Sequence, residues 1–145
     1  NLAGGQRPTL LGGDDAHQLA VMVEVMCETD FVARNTDFID FCQDLAMHIA
    51  AAAPQYTTRA DVPAEVIDKE KAFYAEQLAA EGKPAEVVAK IMEGKLNKFY
   101  EDIVLMDQKF VKDDEITITN LLEQKVTQMG ESIKIGRFVR MNLGV

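Results

Sequence analysis

The sequence predicts an α+β domain: a small three-stranded antiparallel sheet with helices packed on one face, and an antiparallel helix pair. Three observations carry this. Residues 20–28 and 133–142 alternate side-chain character with a period of two, as strands do. Between them, apolar residues recur at helical spacing in successive segments. The connection Glu81-Gly82-Lys83 is so short that the helices flanking it are expected to be antiparallel neighbours.

Residues 1–18 carry the turn signals Gly4-Gly5, Pro8 and Gly12-Gly13-Asp14-Asp15, with Thr9-Leu10-Leu11 as the candidate third strand, hairpinned onto residues 20–28. In that next strand Val21, Val23, Val25 and Cys27 alternate with Met22, Glu24, Met26 and Glu28. Thr29 to Asn35 breaks the alternation and makes a strand-to-helix corner. Thr36-Asp37 opens a helix with Phe38, Phe41, Cys42, Leu45, Ile49 and Ala52 on one face, and Pro54 stops it. Gln55 to Ala60 reads as a polar connection. Asp61, Pro63 and Glu65 mark the next helix start, and Val66, Ile67, Phe73, Tyr74 and Leu78 its apolar face.

Gly82 ends that helix and Pro84 opens another, whose stripe is Val87, Val88, Ile91, Leu96, Phe99 and Ile103. Gly94 inside it marks a kink or a close helix contact. Gln108 to Glu115 reads as a charged loop holding Phe110 and Val111. Thr117 caps a last helix with Leu121, Leu122, Val126 and Met129 inward, and Gly130 closes it. In the final strand Ile133, Ile135, Arg137, Val139 and Met141 alternate with Lys134, Gly136, Phe138, Arg140 and Asn142. Antiparallel pairing with residues 20–28 brings the two ends of the chain into one sheet. Both strands are partly apolar on each face, so the face away from the helices is an exposed patch unless something packs on it. Pairing of two copies through the sheet is the expected use of that patch.

The 145 residues make one domain by length, with 48% hydrophobic and 27% charged residues, ordinary for a globular protein. A net charge of −9 argues against binding a phosphate backbone, which needs clustered Lys and Arg. No apolar run reaches the length of a membrane span, and no secretory hydrophobic region is found. A chain starting at Asn1 reads as processed or as a fragment.

Catalytic signatures are missing from the sequence. It has no phosphate-cradling GxxxxGK[ST], no GxSxG and no HExxH. Cys27 and Cys42 lack the paired spacing of zinc or redox sites and read as reduced, buried residues. An enzyme using either thiol as nucleophile is the competing class, and it lacks a positioned base. His17 and His48 are separated by a strand and a loop, and neither is expected to meet a cysteine. No catalytic residue, cofactor or metal ligand is expected.

Asp30 and Phe31 put a carboxylate and a large aromatic side by side in the corner, where loops held by rigid elements carry function. The competing reading has Asp30 capping a turn and Phe31 entering the core.

The run CETDFVARN, Cys27 to Asn35, resembles the signature of the elongation factor Ts family. DLAMHIAA (Asp44 to Ala51), DVPAEV (Asp61 to Val66), EGKP (Glu81 to Pro84), KIMEGKLNKFYED (Lys90 to Asp102) and IKIGRFVRMNLG (Ile133 to Gly144) follow in the family's order. The resemblance spans residues 20–144, and the whole of 1–145 reads as the family's core domain. The small N-terminal helical domain of the family is not discernible, and residues 1–18 match poorly. The family's partner-contacting histidine is therefore not carried over to His17.

The resemblance implies a guanine-nucleotide exchange factor for elongation factor Tu in translation, not an enzyme. Asp30 and Phe31 would insert between helices of the partner's nucleotide domain and disturb its Mg²⁺ and phosphate site, while Thr29 and Val32 hold the pair in place. It further implies a homodimer paired through the sheet, no direct contact with nucleic acid or membrane, and a bacterial cytoplasm, or an organellar matrix or stroma. The alternative is a dimerisation or scaffold fragment without exchange activity.

Overall fold

Alternation in Val21, Val23 and Val25 places all three in the core and leaves Met22 and Met26 exposed. They belong to β2 (Gln18–Cys27), which pairs antiparallel with β5 (Ile133–Leu143) from Gln18 opposite Leu143 to Cys27 opposite Ile133. The expected antiparallel pairing of residues 20–28 with the final strand is thus present. The computed structural model describes residues 11–12 and 18–143. Two residues, β1 (Leu11–Gly12), lie antiparallel beside Leu19 and Gln18. Gly12, expected as part of a turn, is thus in the strand; the rest of the expected first strand, the other turn signals and His17 lie outside the described residues.

The β5 alternation is not continuous. Val23 faces Phe138 but Val25 faces Ile135, so β5 spends one residue more than β2 between these pairs. Such a bulge shifts the phase of everything beyond it. Ile133 and Ile135 therefore face the core together with Phe138, while Val139 and Met141 are about half exposed. Arg137 is displaced to the surface. Arg140 reaches back to the end of the first long helix, donating from Nε and Nη2 to the carbonyl of Ala50 at 3.2 and 3.1 Å. The single uninterrupted alternation read from the sequence is corrected accordingly.

Two helices cover the core face. In α2 (Thr36–Ala52), capped by the Asn35 side chain, Phe38, Phe41, Cys42, Leu45 and Ile49 are buried as the spacing predicts. The helix ends with Ala53 in the left-handed region, ahead of Pro54. α5 (Ile118–Met129) is capped by Thr117 and ended by Gly130 at φ 72°, both as expected. Leu121 is buried, and Leu122, Val126 and Met129 pack partly buried against the core. Ile118, absent from the predicted stripe, is fully buried.

Helices α3 (Ala64–Glu81) and α4 (Ala85–Ile103) fold back on each other around Gly82. Lys95 sits 5.2 Å over the Tyr74 ring across this pair. Three expectations here are corrected. Phe73 and Val87 are exposed rather than packed, because a two-helix hairpin has only one covered face. Gly94 borders open space, so no close helix contact needs it, and α4 runs through it unbroken. The pair joins the body where the Tyr56 strand bridge to Val104 fixes residues 55–57 against 103–106. The segment read as a charged loop contains a hairpin, β3 (Lys109–Phe110) and β4 (Asp113–Thr117), with Phe110 buried. The described residues are thus α+β, with five helices and the antiparallel strand pairs β2–β5 and β3–β4.

Candidate functional site

The corner after β2 is a single helical turn, α1 (Asp30–Ala33). Thr29 is extended and caps it, its hydroxyl accepting from the Val32 N–H at 3.4 Å. The turn closes through the Ala33 N–H to the Thr29 carbonyl and the Arg34 N–H to the Asp30 carbonyl. Asn35 then starts α2 after one further residue, so α1 and α2 share almost no slack.

This geometry separates the four residues singled out in the sequence. Val32 is buried in the core and pins the turn. Phe31 is 89% exposed, the most exposed of the large apolar side chains among the described residues. Asp30 and Thr29 are also on the surface. A solvent-facing phenylalanine on a packed, capped turn is not a core residue, so the reading of Phe31 as buried is excluded. Asp30 lies in the first turn of α1, where a carboxylate is favoured, but the capping bond itself comes from Thr29.

One residue of this site escaped the sequence. Glu131, between α5 and β5, accepts at Oε1 from the Glu28 and Thr29 N–H groups at 2.9 and 3.1 Å, and at Oε2 from the Thr29 hydroxyl at 2.9 Å. Its partners are more than a hundred positions away, so no local pattern marks it.

The thiols border the same end of the molecule. Cys42 is buried, and burial first, then the neighbouring Cys27, pushes its pKa up to about 12. Cys27 is partly buried, and desolvation followed by the charge of Glu131 raises its pKa as well. Neither microenvironment makes a reactive thiolate. On the outer face of the sheet, Met22 stands opposite Val139 and Ala20 opposite Met141, forming an exposed apolar strip.

A family model described as elongation factor Ts matches residues 40–145. The chain belongs to the elongation factor Ts family. It is 50% identical over 127 residues to elongation factor Ts of Fervidobacterium nodosum, covering 88% of this chain and 64% of the relative. The corresponding protein of Geobacter metallireducens is also 50% identical over 127 residues, with 59% of its length covered. That of Thermosipho melanesiensis is 47% identical, with 65% of its length covered. The chain thus spans about three fifths of the length of the curated relatives it matches. A stretch of 127 residues in a chain of 145 necessarily takes in the corner at 29–32.

Among the described residues no group of His, Cys, Asp and Glu is arranged to hold a metal ion, and no helix is long and apolar enough to cross a membrane.

Proposed function

We propose that this chain is a guanine-nucleotide exchange factor for elongation factor Tu, acting by insertion of Asp30 and Phe31 rather than by bond chemistry. The observation that carries the reading is the 89% exposure of Phe31 on a turn whose other apolar residue, Val32, is buried. Interface energy concentrates in a few desolvated, often aromatic side chains, and a protruding ring on a fixed turn has that form. An exchange factor binds its nucleotide-free partner better than the nucleotide-bound one. Linkage then weakens nucleotide binding in the complex by the same factor.

In this reading Phe31 enters between helices of the partner's nucleotide domain, Asp30 disturbs the Mg²⁺ and phosphate site beside it, and GDP leaves. Thr29 and Val32 hold the pair. The protein is not an enzyme, works in the cytoplasm, and pairs with a second copy through the outer face of the sheet. GDP release from elongation factor Tu, followed with a fluorescent nucleotide, tests it. Acceleration on adding this chain is expected, and an unchanged rate at saturating chain rejects it.

A second reading, a dimerisation or scaffold fragment without exchange activity, draws on the apolar strip of Met22, Val139 and Met141. It predicts self-association with no effect on nucleotide release.

A further inference from the structure

The proposed corner has a weak point that Glu131 closes. The last ladder pair of the sheet is Cys27 with Ile133, so Glu28 and Thr29 lie beyond the strand pairing. Their N–H groups find no backbone acceptor and go instead to one carboxylate oxygen of Glu131. The other oxygen takes the Thr29 hydroxyl, while that same hydroxyl accepts from Val32 at the long distance of 3.4 Å. Phe31 itself is exposed, so its direction is set by the backbone of the turn beneath it. That backbone is fixed at one end by buried Val32 and at the other by Glu131. Bonds to an ionised acceptor are stronger and shorter than neutral ones, and three converge here.

We propose that Glu131 is a positioning residue for the Asp30–Phe31 pair, acting through Thr29 from the junction of α5 and β5. The proposal rests on the reading of the corner given above. Glu131 does not touch the partner in this role. It removes the freedom of the turn to swing about Cys27, and so lowers the ordering cost that Phe31 would otherwise incur on insertion.

The test uses the 145-residue chain with Glu131→Ala, Glu131→Gln and, in parallel, Phe31→Ala. Hydrogen exchange of the Glu28 and Thr29 amides is read first, on the chain alone. Glu131→Ala should speed it about tenfold or more relative to the parent, the range of a local opening made easier by a lost charge-assisted clamp. The melting temperature should change little. GDP release from elongation factor Tu is read second. Glu131→Ala should raise the concentration for half-maximal stimulation about tenfold while the rate at saturation is retained. Glu131→Gln, which keeps one carbonyl oxygen for the two amides, should recover most of that loss.

Unchanged amide exchange in Glu131→Ala overturns the clamp, whatever the partner does. A loss of stimulation with Phe31→Ala but not with Glu131→Ala overturns the positioning role and leaves the corner reading intact. Full stimulation by Phe31→Ala overturns the corner reading, and the positioning role with it.

Discussion

His48 Nε2 lies 2.9 Å from Gln108 Oε1 inside the core, and a bond at the opposite ring nitrogen sets the tautomer of this fully buried imidazole. Nδ1 accepts from the Val111 N–H at 3.2 Å, so it carries no proton, and Nε2–H donates to Gln108. Gln108 passes the demand on by donating from its own Nε2 to the Asp102 carbonyl at 3.0 Å. The network joins α2, the end of α4 and the β3–β4 hairpin with no buried polar side-chain atom left unpaired among the described residues.

Stability should therefore fall on mild acidification. Burial lowers the His48 pKa from its ordinary 6.5, and the Gln108 bond offsets only part of that. The unfolded chain takes up this proton first as pH falls, so the contribution is full above about pH 6.5 and is lost below it, toward the depressed folded value. Urea midpoints measured at pH 7 and 5.5 should show the drop, and His48→Gln should flatten it. Gln108→Leu leaves the Nε2–H unsatisfied and should cost about 1–3 kcal/mol at pH 7.

The bulge in β5 makes a second prediction. A Cβ on Gly136 would collide with Glu24 Oε1. That oxygen accepts from the Arg137 N–H at 3.3 Å, and the backbone bond, followed by the Arg137 side chain, holds the Glu24 pKa below its ordinary value. Gly136→Ala should fold, because the obstructing atom ends a flexible side chain. Its Glu24 should titrate closer to 4.5 by carboxyl NMR. A Glu24 still depressed in the variant would contradict this account of the bulge.

These two sites mark what a sequence can disclose. The elements with long, strong periods were legible: β2 from its valines, α2 from Phe38 through Ile49, and the ends at Gly82, Thr117 and Gly130 from their chemistry. The β3–β4 hairpin was not, because strands of two and five residues give too short a pattern against a charged background. The phase of β5 failed at Gly136 because a bulge depends on what stands opposite. The single turn of α1 was hidden inside a corner read as loop. At the site itself, Thr29 to Val32 stood out through composition and family resemblance. Glu131 did not, since its meaning lies entirely in partners brought close by the fold.

The thiols should be slow. With Cys42 pushed up to about 12 and Cys27 also raised, native alkylation at pH 7.5 should be far slower than after unfolding. Cys27, being less buried, should react before Cys42. A fast native reaction at either thiol, accompanied by loss of partner binding, would instead mark a functional cysteine.

The outer sheet face should hold two copies together. Met22 and Val139 are each 50% exposed and face each other across the ladder, flanked by Met141. Val139→Glu puts a charge in the middle of that strip and should convert a dimer to a monomer by light scattering at micromolar concentration. A monomer mass for the parent chain at that concentration would remove the basis for sheet pairing.

The exposure of Phe31 leads to the sharpest test. A buried phenylalanine cut to alanine costs about 3–5 kcal/mol through the cavity left behind. Phe31 leaves no cavity, so Phe31→Ala should keep folding stability within about 0.5 kcal/mol, as at other surface sites. Affinity for nucleotide-free elongation factor Tu should drop by about 2 kcal/mol or more, the scale of a hot-spot loss. Asp30→Ala should act differently. Asp30 precedes Phe31 on the same turn, and its proposed work is on the Mg²⁺ site rather than in holding the partner. It should slow GDP release more than it weakens binding. Thermal unfolding of each variant alone, set beside GDP release with each variant present, separates these effects. A Phe31→Ala chain that is clearly destabilised yet still speeds GDP release normally would return Phe31 to a structural role and defeat the insertion mechanism.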